Sequence, residues 1–343
     1  MPFLYKFLQK LFGILFFVAI IAGAAYILLN SRTVSQYAVP RLLNKQIPDF
    51  IVSDFKIEEQ MFRWPGKLSF EGVSFSLTDG RNFYAVSVPK IVIEGEPLFW
   101  HPRKNIAVKV ERMKIENPEL KVKGVTLAVD AYFDFFQLEA LKGNAFIESL
   151  GFKEYELSQI YIPVIAYKGQ FKSEPLRANF FDSKILGKII LDYANDMSYI
   201  MEMNVEDLDL RQLEGSYPIL PENVKGRFTG DLLAKGHQGK MDSLRVDFTA
   251  PDGGEMKAAL LNQLIQYIPA EARTKEFDLA VKSNGDIFFE RMAGQLFSLT
   301  KERMTMKIDL ESRRLNLKPR ITIDFNVEGG LDNFFKHFQD FSN

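Results

Sequence analysis

The sequence predicts a mostly β protein, a long curved antiparallel sheet with one oily side and one charged side. The clearest observation lies between Arg303 and Val327. Met304, Met306, Ile308 and Leu310 alternate with Thr305, Lys307 and Asp309, and Ile321, Ile323, Phe325 and Val327 alternate with Thr322, Asp324 and Asn326. A period of two marks a strand with one apolar and one wet face. The polar break Glu311–Arg314 reads as a turn, so neighbouring strands pair antiparallel with matched faces. The same rule recurs through most of the chain after residue 50, while few stretches show helical spacing.

Composition narrows the function. Charged residues make up 25% of the 343, the net charge is −1, and no basic block occurs, which excludes nucleic acid as the expected partner. The 31 Phe and 12 Tyr against 2 Trp suit large apolar contact surfaces. With no cysteine, no disulfide framework is available.

In chain order, Lys6 and Lys10 precede an uncharged run, Leu11–Leu29, about 28 Å long as a helix and sufficient for a bilayer core of roughly 30 Å. Ala22-Gly23-Ala24 offers a signal-peptide cleavage site, but the apolar run continues through Tyr26 to Leu29. Residues 1–30 are therefore expected to be a cytoplasmic tail and transmembrane anchor. Residues 31–49 are expected to hold an amphipathic helix, with Val34, Tyr37, Ala38, Leu42 and Leu43 near one face and Pro40 as a kink.

Residues 50–215 form the first β region. Leu68 and Phe70 give way after Gly72 to Val73, Phe75 and Leu77 in the opposite phase, which predicts a bulge. Tyr84, Val86 and Val88 lead to Ile91 and Ile93. Ile106, Val108 and Val110 shift phase into Met113 and Ile115. Residues 131–152 fit a strand edge or a short helix equally. Alternation returns from Tyr155 to Tyr167 and in Ile189, Leu191 and Tyr193. Asp209–Glu214 reads as a brief helix, and 216–222, with Pro218 and Pro221, marks the internal boundary.

Residues 216–343 repeat the theme. Phe228, Leu232 and Ala234, then Leu244, Val246 and Phe248, sit on strands joined by a hairpin at Lys235–Gly239. Met256–Ile268 carries helical spacing, Phe277, Leu279 and Val281 resume the sheet, and 331–341 predicts a C-terminal amphipathic helix through Leu331, Phe334, Phe335, Phe338 and Phe341. That last helix is expected to close the far end of the sheet, because its polar face lacks a basic excess.

Catalytic chemistry finds no foothold. His101, His237 and His337 are isolated, and there is no phosphate loop, nucleophile elbow or HExxH. The protein is expected not to be an enzyme, with no cofactor and no metal.

An antiparallel sheet with one apolar face must hide it. Helices are too few to cover it, so either the faces meet in a sandwich or a bound lipid fills a trough. Eighteen to twenty strands at roughly 4.8 Å would give a furrow on the order of 90 Å. Acyl chains would touch Phe70, Phe75, Ile91, Ile93, Val108, Val110, Ile189, Leu191, Phe228, Leu232, Phe248, Ile308, Leu310, Ile323 and Phe325. In a sandwich the same residues are core.

The layout resembles the AsmA-like group of bacterial envelope proteins, which share a repeating β-groove design with bridge-like lipid-transfer proteins. The stretch Leu68–Leu77, then Val88–Ile93 and Met113–Val122, resembles their N-terminal region. Val205–Leu213 followed by Val224–Gly236 resembles their later leucine-rich unit. The resemblance implies an inner-membrane anchor, a periplasmic groove, and a role in phospholipid transport or outer-membrane maintenance, with an envelope protein at the distal end as a further partner. The alternative is an anchored scaffold or assembly factor with a closed β-sandwich core.

Overall fold

A computed structural model describes residues 32–46, 50–63, 66–78, 82–95, 103–134, 137–152, 155–194, 197–213, 222–238, 240–258, 286–313 and 320–326, with Lys275, Asp278, Leu279 and Lys282. The predicted anchor, the helical spacing beyond Ala258 and the C-terminal helix lie outside these residues. Among those described, no helix is long and apolar enough to cross a membrane.

The alternating pattern becomes strands. One helix, α1 (Arg32–Gln46), precedes eighteen of them: β1 (Ile51–Lys56), β2 (Glu59–Arg63), β3 (Lys67–Thr78), β4 (Phe83–Gly95), β5 (Arg103–Glu116), β6 (Leu120–Asp134), β7 (Gln137–Phe152), β8 (Tyr155–Tyr167), β9 (Gln170–Phe180), β10 (Ser183–Asp192), β11 (Ser198–Asp209), β12 (Val224–His237), β13 (Lys240–Ala250), β14 (Gly254–Lys257), β15 (Asp286–Phe289), β16 (Arg291–Ser298), β17 (Arg303–Glu311) and β18 (Arg320–Asn326). The chain divides into two compact units, an N-terminal one of Phe3–Ala178 with Asp192–Asn195 and a C-terminal one of Asn179–Leu191 and Asp196–Asn343 with Met1–Pro2. The proline-flanked stretch 216–222 is not where the units part, because β11 and β12 pair across it from Tyr199 opposite Gly236 to Asp209 opposite Arg227.

In the N-terminal unit β3 to β8 form an antiparallel meander, and β1 and β2 share the edge of β3. Among the described pairings none closes the sheet into a barrel. Helix α1 packs against β1 and meets its open edge with side chains. Val52 donates its N–H to Asn44 Oδ1 at 2.7 Å, and Gln36 Nε2 donates to the Ile57 carbonyl at 3.2 Å. These bonds satisfy edge groups that would otherwise template another strand. The helix buries Ser35 and Val39, one turn apart, and leaves Tyr37 63% exposed, so Tyr37 is not on its packed face.

The phase change at Gly72 is part of a row. Gly72 has φ +61°, and positive φ recurs at Arg112, Gly124 and Gln159. The ladder is interrupted at each of these positions: it passes from Glu71 opposite Lys90 to Val73 opposite Val88, from Lys90 opposite Glu111 to Ser87 opposite Lys114, from Lys123 opposite Ser149 to Thr126 opposite Phe146, and from Ile147 opposite Ile160 to Ser149 opposite Ser158. On β3 the buried residues switch from Leu68 and Phe70 to Val73 and Phe75, on β5 from Val110 to Met113, and on β6 from Val122 to Val125. One extra residue in each strand returns the apolar side chains to the same face. Because the neighbours do likewise, the register is the same on both sides of the row between β3 and β4, β4 and β5, β6 and β7, and β7 and β8, while between β5 and β6 it shifts at Met113. Replacing Gly124 by Ala forces a side chain into φ +66°, where its Cβ also displaces the Glu148 carboxylate. A stability loss of about 1–2 kcal/mol is expected, measured by urea denaturation.

Residues 131–134 and 137–152, ambiguous in sequence, are strand: β6 runs to Asp134 and pairs with β7 from Asp134 opposite Gln137 back to Leu120 opposite Phe152. In the C-terminal unit Leu210–Leu213 is a single 3-10 turn, started by Asp209, whose Oδ1 accepts the Arg211 N–H at 3.0 Å. Met256 belongs to β14, opposite Val224 and Ile287, so the predicted helix does not begin there. Asp278 and Leu279 are helical, not a resumption of the sheet, and Leu279 is 68% exposed.

Candidate functional site

Register sorts the side chains of the C-terminal unit into two faces. One row runs Val205, Gly230, Phe248, Gly294, Ile308, Ile321 across β11, β12, β13, β16, β17 and β18. The next runs Met203, Leu232, Val246, Leu296, Met306, Ile323. Every member of both rows is apolar. The opposite face interleaves rows such as Asn204, Asp231, Asp247, Gln295, Lys307, Thr322. There Asn204 Nδ2 donates to Asp231 Oδ1 at 2.9 Å, Arg245 pairs with Asp247 at 2.6 Å, and Lys307 lies over the Phe297 ring.

The apolar face is not equally covered everywhere. Met203, Val205, Phe228, Leu232, Val246, Phe248, Leu296, Met306 and Ile308 are all half-buried and contiguous. Towards one end of the strands the face is sealed by Met201, Ala234, Leu244 and Met304, towards the other by Ala250, Met292 and Leu310. The result is an apolar floor crossing the strands between two closed margins. In the N-terminal unit, by contrast, the row Phe70, Ile91, Val110, Leu127, Ala145, Ile162 is buried at every strand.

The fifteen predicted contact residues therefore separate. Phe70, Phe75, Ile91, Ile93, Val108, Val110, Ile189 and Leu310 are closed to solvent, each at 7% exposure or less. Leu191, Phe228, Leu232, Phe248 and Ile308 are half-buried, and all but Leu191 belong to the floor. Ile323 and Phe325 occupy β18 positions opposite Met306 and Met304, and their side chains lie outside the description. Sequence reasoning missed Met203, Val205, Val246, Leu296 and Met306 as floor residues.

One end of the floor is laced by charge. The β13–β16 ladder stops at Arg245 opposite Phe297, and beyond it Leu244 donates its N–H to Ser298 Oγ at 3.0 Å. A hollow of about 360 Å³ lies here on the charged side, lined by Leu233, Arg245, Phe297 and Lys307 among others. At the hairpin tips Asp242 takes His237 Nδ1 at 2.5 Å on its own hairpin and Lys301 Nζ at 2.6 Å on the next. Burial works against the Asp242 charge, but the hydrogen bonds from Lys301 and His237 prevail and hold its carboxyl below the usual value. A lowered folded pKa contributes stability that is present above the unfolded Asp value and lost as pH falls through the folded one. The stability difference between wild type and Asp242→Asn should therefore be complete at neutral pH, shrink as pH falls below about 4 and be lost only below the folded value, measured by thermal melts across pH. Among the described residues no three His, Asp or Glu side chains gather as a metal site.

No family model, curated protein or solved structure matches the chain.

Proposed function

We propose that the C-terminal unit binds the hydrocarbon of a lipid on its apolar floor, in a membrane-tethered protein that carries or passes acyl lipid. The observation that supports this is the unbroken patch of half-buried apolar side chains from Met203 and Val205 to Met306 and Ile308, backed by a charged outer face. A large contiguous apolar patch with polar surroundings marks a binding surface more often than idle surface. An acyl chain gains about 0.8 kcal/mol per CH₂ taken out of water, so a partly open floor can repay a long chain by roughly 10 kcal/mol. Phe and Met make that floor adaptable and free of specific polar demands. Tethering would come from Leu11–Leu29, and the periplasmic setting and envelope partner follow only from the AsmA-like resemblance.

The second reading, a scaffold with a closed core, is favoured by the fully buried rows of the N-terminal unit. The two fit together if the N-terminal unit is scaffold and the C-terminal unit takes lipid. Mass spectrometry of lipid extracted from the purified full chain tests the proposal. Stoichiometric acyl lipid supports it, and a lipid-free protein that also takes none from phosphatidylglycerol vesicles would overturn it.

A further inference from the structure

The hollow on the charged face of the C-terminal unit is walled by hydrogen-bond donors and, among the described residues, by no carboxylate. Leu233, Arg245 and Phe297 stand in one row across β12, β13 and β16, and Gln295 faces Lys307 in the next row across β16 and β17. The cavity of about 360 Å³ opens where the β13–β16 ladder ends, a size within the range of about 300–1,000 Å³ usual for small-ligand sites. Arg245 is fixed by its own strand: Nε donates to Asp247 Oδ2 at 2.6 Å and Nη2 to Oδ1 at 3.2 Å. Nη1 is left uncommitted among the described residues. Lys307 holds its Nζ 5.2 Å over the Phe297 ring and pairs with no carboxylate among the described residues. Ser298 Oγ accepts the Leu244 N–H at 3.0 Å, so its own proton is left to donate. The Ser243 hydroxyl and the Gln295 amide complete the set.

Two cations and three neutral donors around one cavity match an anion with several acceptor oxygens, the chemistry of a phosphate group. Asp247 offsets one of the two charges, and the nearby Asp242 is taken by His237 and Lys301, so one positive charge is left for a ligand. A phosphate fills the space of only about two or three waters, roughly 60–90 Å³, so the hollow has room for more. Its remaining wall, Leu233 and the Phe297 ring, is apolar. We infer that this hollow binds a small soluble phosphate monoester. Lys307, Arg245 Nη1 and the two serine hydroxyls take the phosphate oxygens, and the organic part lies against Leu233 and Phe297. The ester is soluble and is not the head of a floor-bound lipid. The hollow opens on the face opposite the floor, and Ala234, Leu244 and Met304 seal the floor at this end. The site is therefore independent of the lipid reading above.

The test is isothermal titration calorimetry on the full chain held in amphipathic polymer, at fixed ionic strength, with circular dichroism to confirm folding. The probes are glycerol 3-phosphate, inorganic phosphate and phosphatidic acid vesicles. Glycerol 3-phosphate should bind wild type more tightly than inorganic phosphate does. Lys307→Gln, a change at an exposed position on β17, should weaken it about tenfold, and Ser243→Ala about threefold. Lys301→Gln is the control. Lys301 does not line the hollow and is engaged by Asp242, so its loss should cost less than about threefold. No binding of glycerol 3-phosphate at millimolar concentration would overturn the site. So would equal losses in Lys307→Gln and Lys301→Gln, which mark diffuse attraction to a charged surface. Inorganic phosphate bound as tightly as the ester would overturn the ester assignment. Vesicle binding that needs Lys307, without binding of the soluble ester, would overturn the soluble source.

Discussion

Replacing Ile93 by Asp is expected to unfold the N-terminal unit. Ile93 is 0% exposed and stands on β4 between Leu68 of β3 and Val108 of β5, each also 0% exposed. A carboxylate there has lost its water, and its immediate cross-strand partners are aliphatic, so burying it unpaired costs several kcal/mol. Typical total stability is only about 5–15 kcal/mol, so the substitution consumes most of it. Ile93→Val, which removes one methyl, should cost about 1 kcal/mol and serves as the control. Limited proteolysis with circular dichroism separates the outcomes: Ile93→Asp should be digested throughout the N-terminal unit and Ile93→Val should resist. A folded, protease-resistant Ile93→Asp would mean that water reaches this face.

The same substitution on the floor should act on ligand and not on fold. Ile308 is half-buried on β17, opposite Gly294 on one side and Ile321 on the other. The carboxylate introduced by Ile308→Asp can keep part of its hydration, so the protein should stay folded with a loss of about 1–2 kcal/mol. A bound acyl chain would have to cover that charge. An Asp in hydrocarbon costs about 2.5–3.5 kcal/mol, which translates into roughly a hundredfold weaker lipid retention. Lipid extracted per mole of protein is the measurement. Unchanged lipid in a folded Ile308→Asp variant would show that the chain does not cross this row.

The contrast between Ile93 and Ile308 also shows what can be read from sequence. Both sit in clean alternation, and alternation was enough to place both on strands and on the apolar face. The phase reversals around Gly72 and from Val110 to Met113 were equally legible, because an inserted residue shifts a period of two by one. Their alignment into one row across the strands was not, since that depends on register between segments far apart in the chain. The helix at Arg32–Gln46 was expected from spacing, yet its packed side is set by where β1 lies, which brings Ser35 and Val39 inward and leaves Tyr37 out. Residues 131–152 defeated reading because aromatic side chains fall on both faces around Tyr132 and Phe133. The ladder between β6 and β7 makes 131–134 and 137–152 strand. Leu279 misled in the opposite sense, as three alternating apolar residues are too few to separate strand from helix. Least legible was the degree of covering: nothing local distinguishes the sealed row of Phe70 and Ile91 from the half-open row of Val205 and Phe248.

Methionine offers the most direct view of that difference in solution. Met203 and Met306 are half-buried on the floor of the C-terminal unit, while Met113 is 2% exposed in the sealed face of the N-terminal unit. With ¹³C-labelled methionine methyls in the full chain, a fatty acid carrying a nitroxide in its hydrocarbon tail should broaden the signals of Met203 and Met306 and spare Met113. Equal broadening of all three, or none at saturating probe, would contradict a lipid site on this floor.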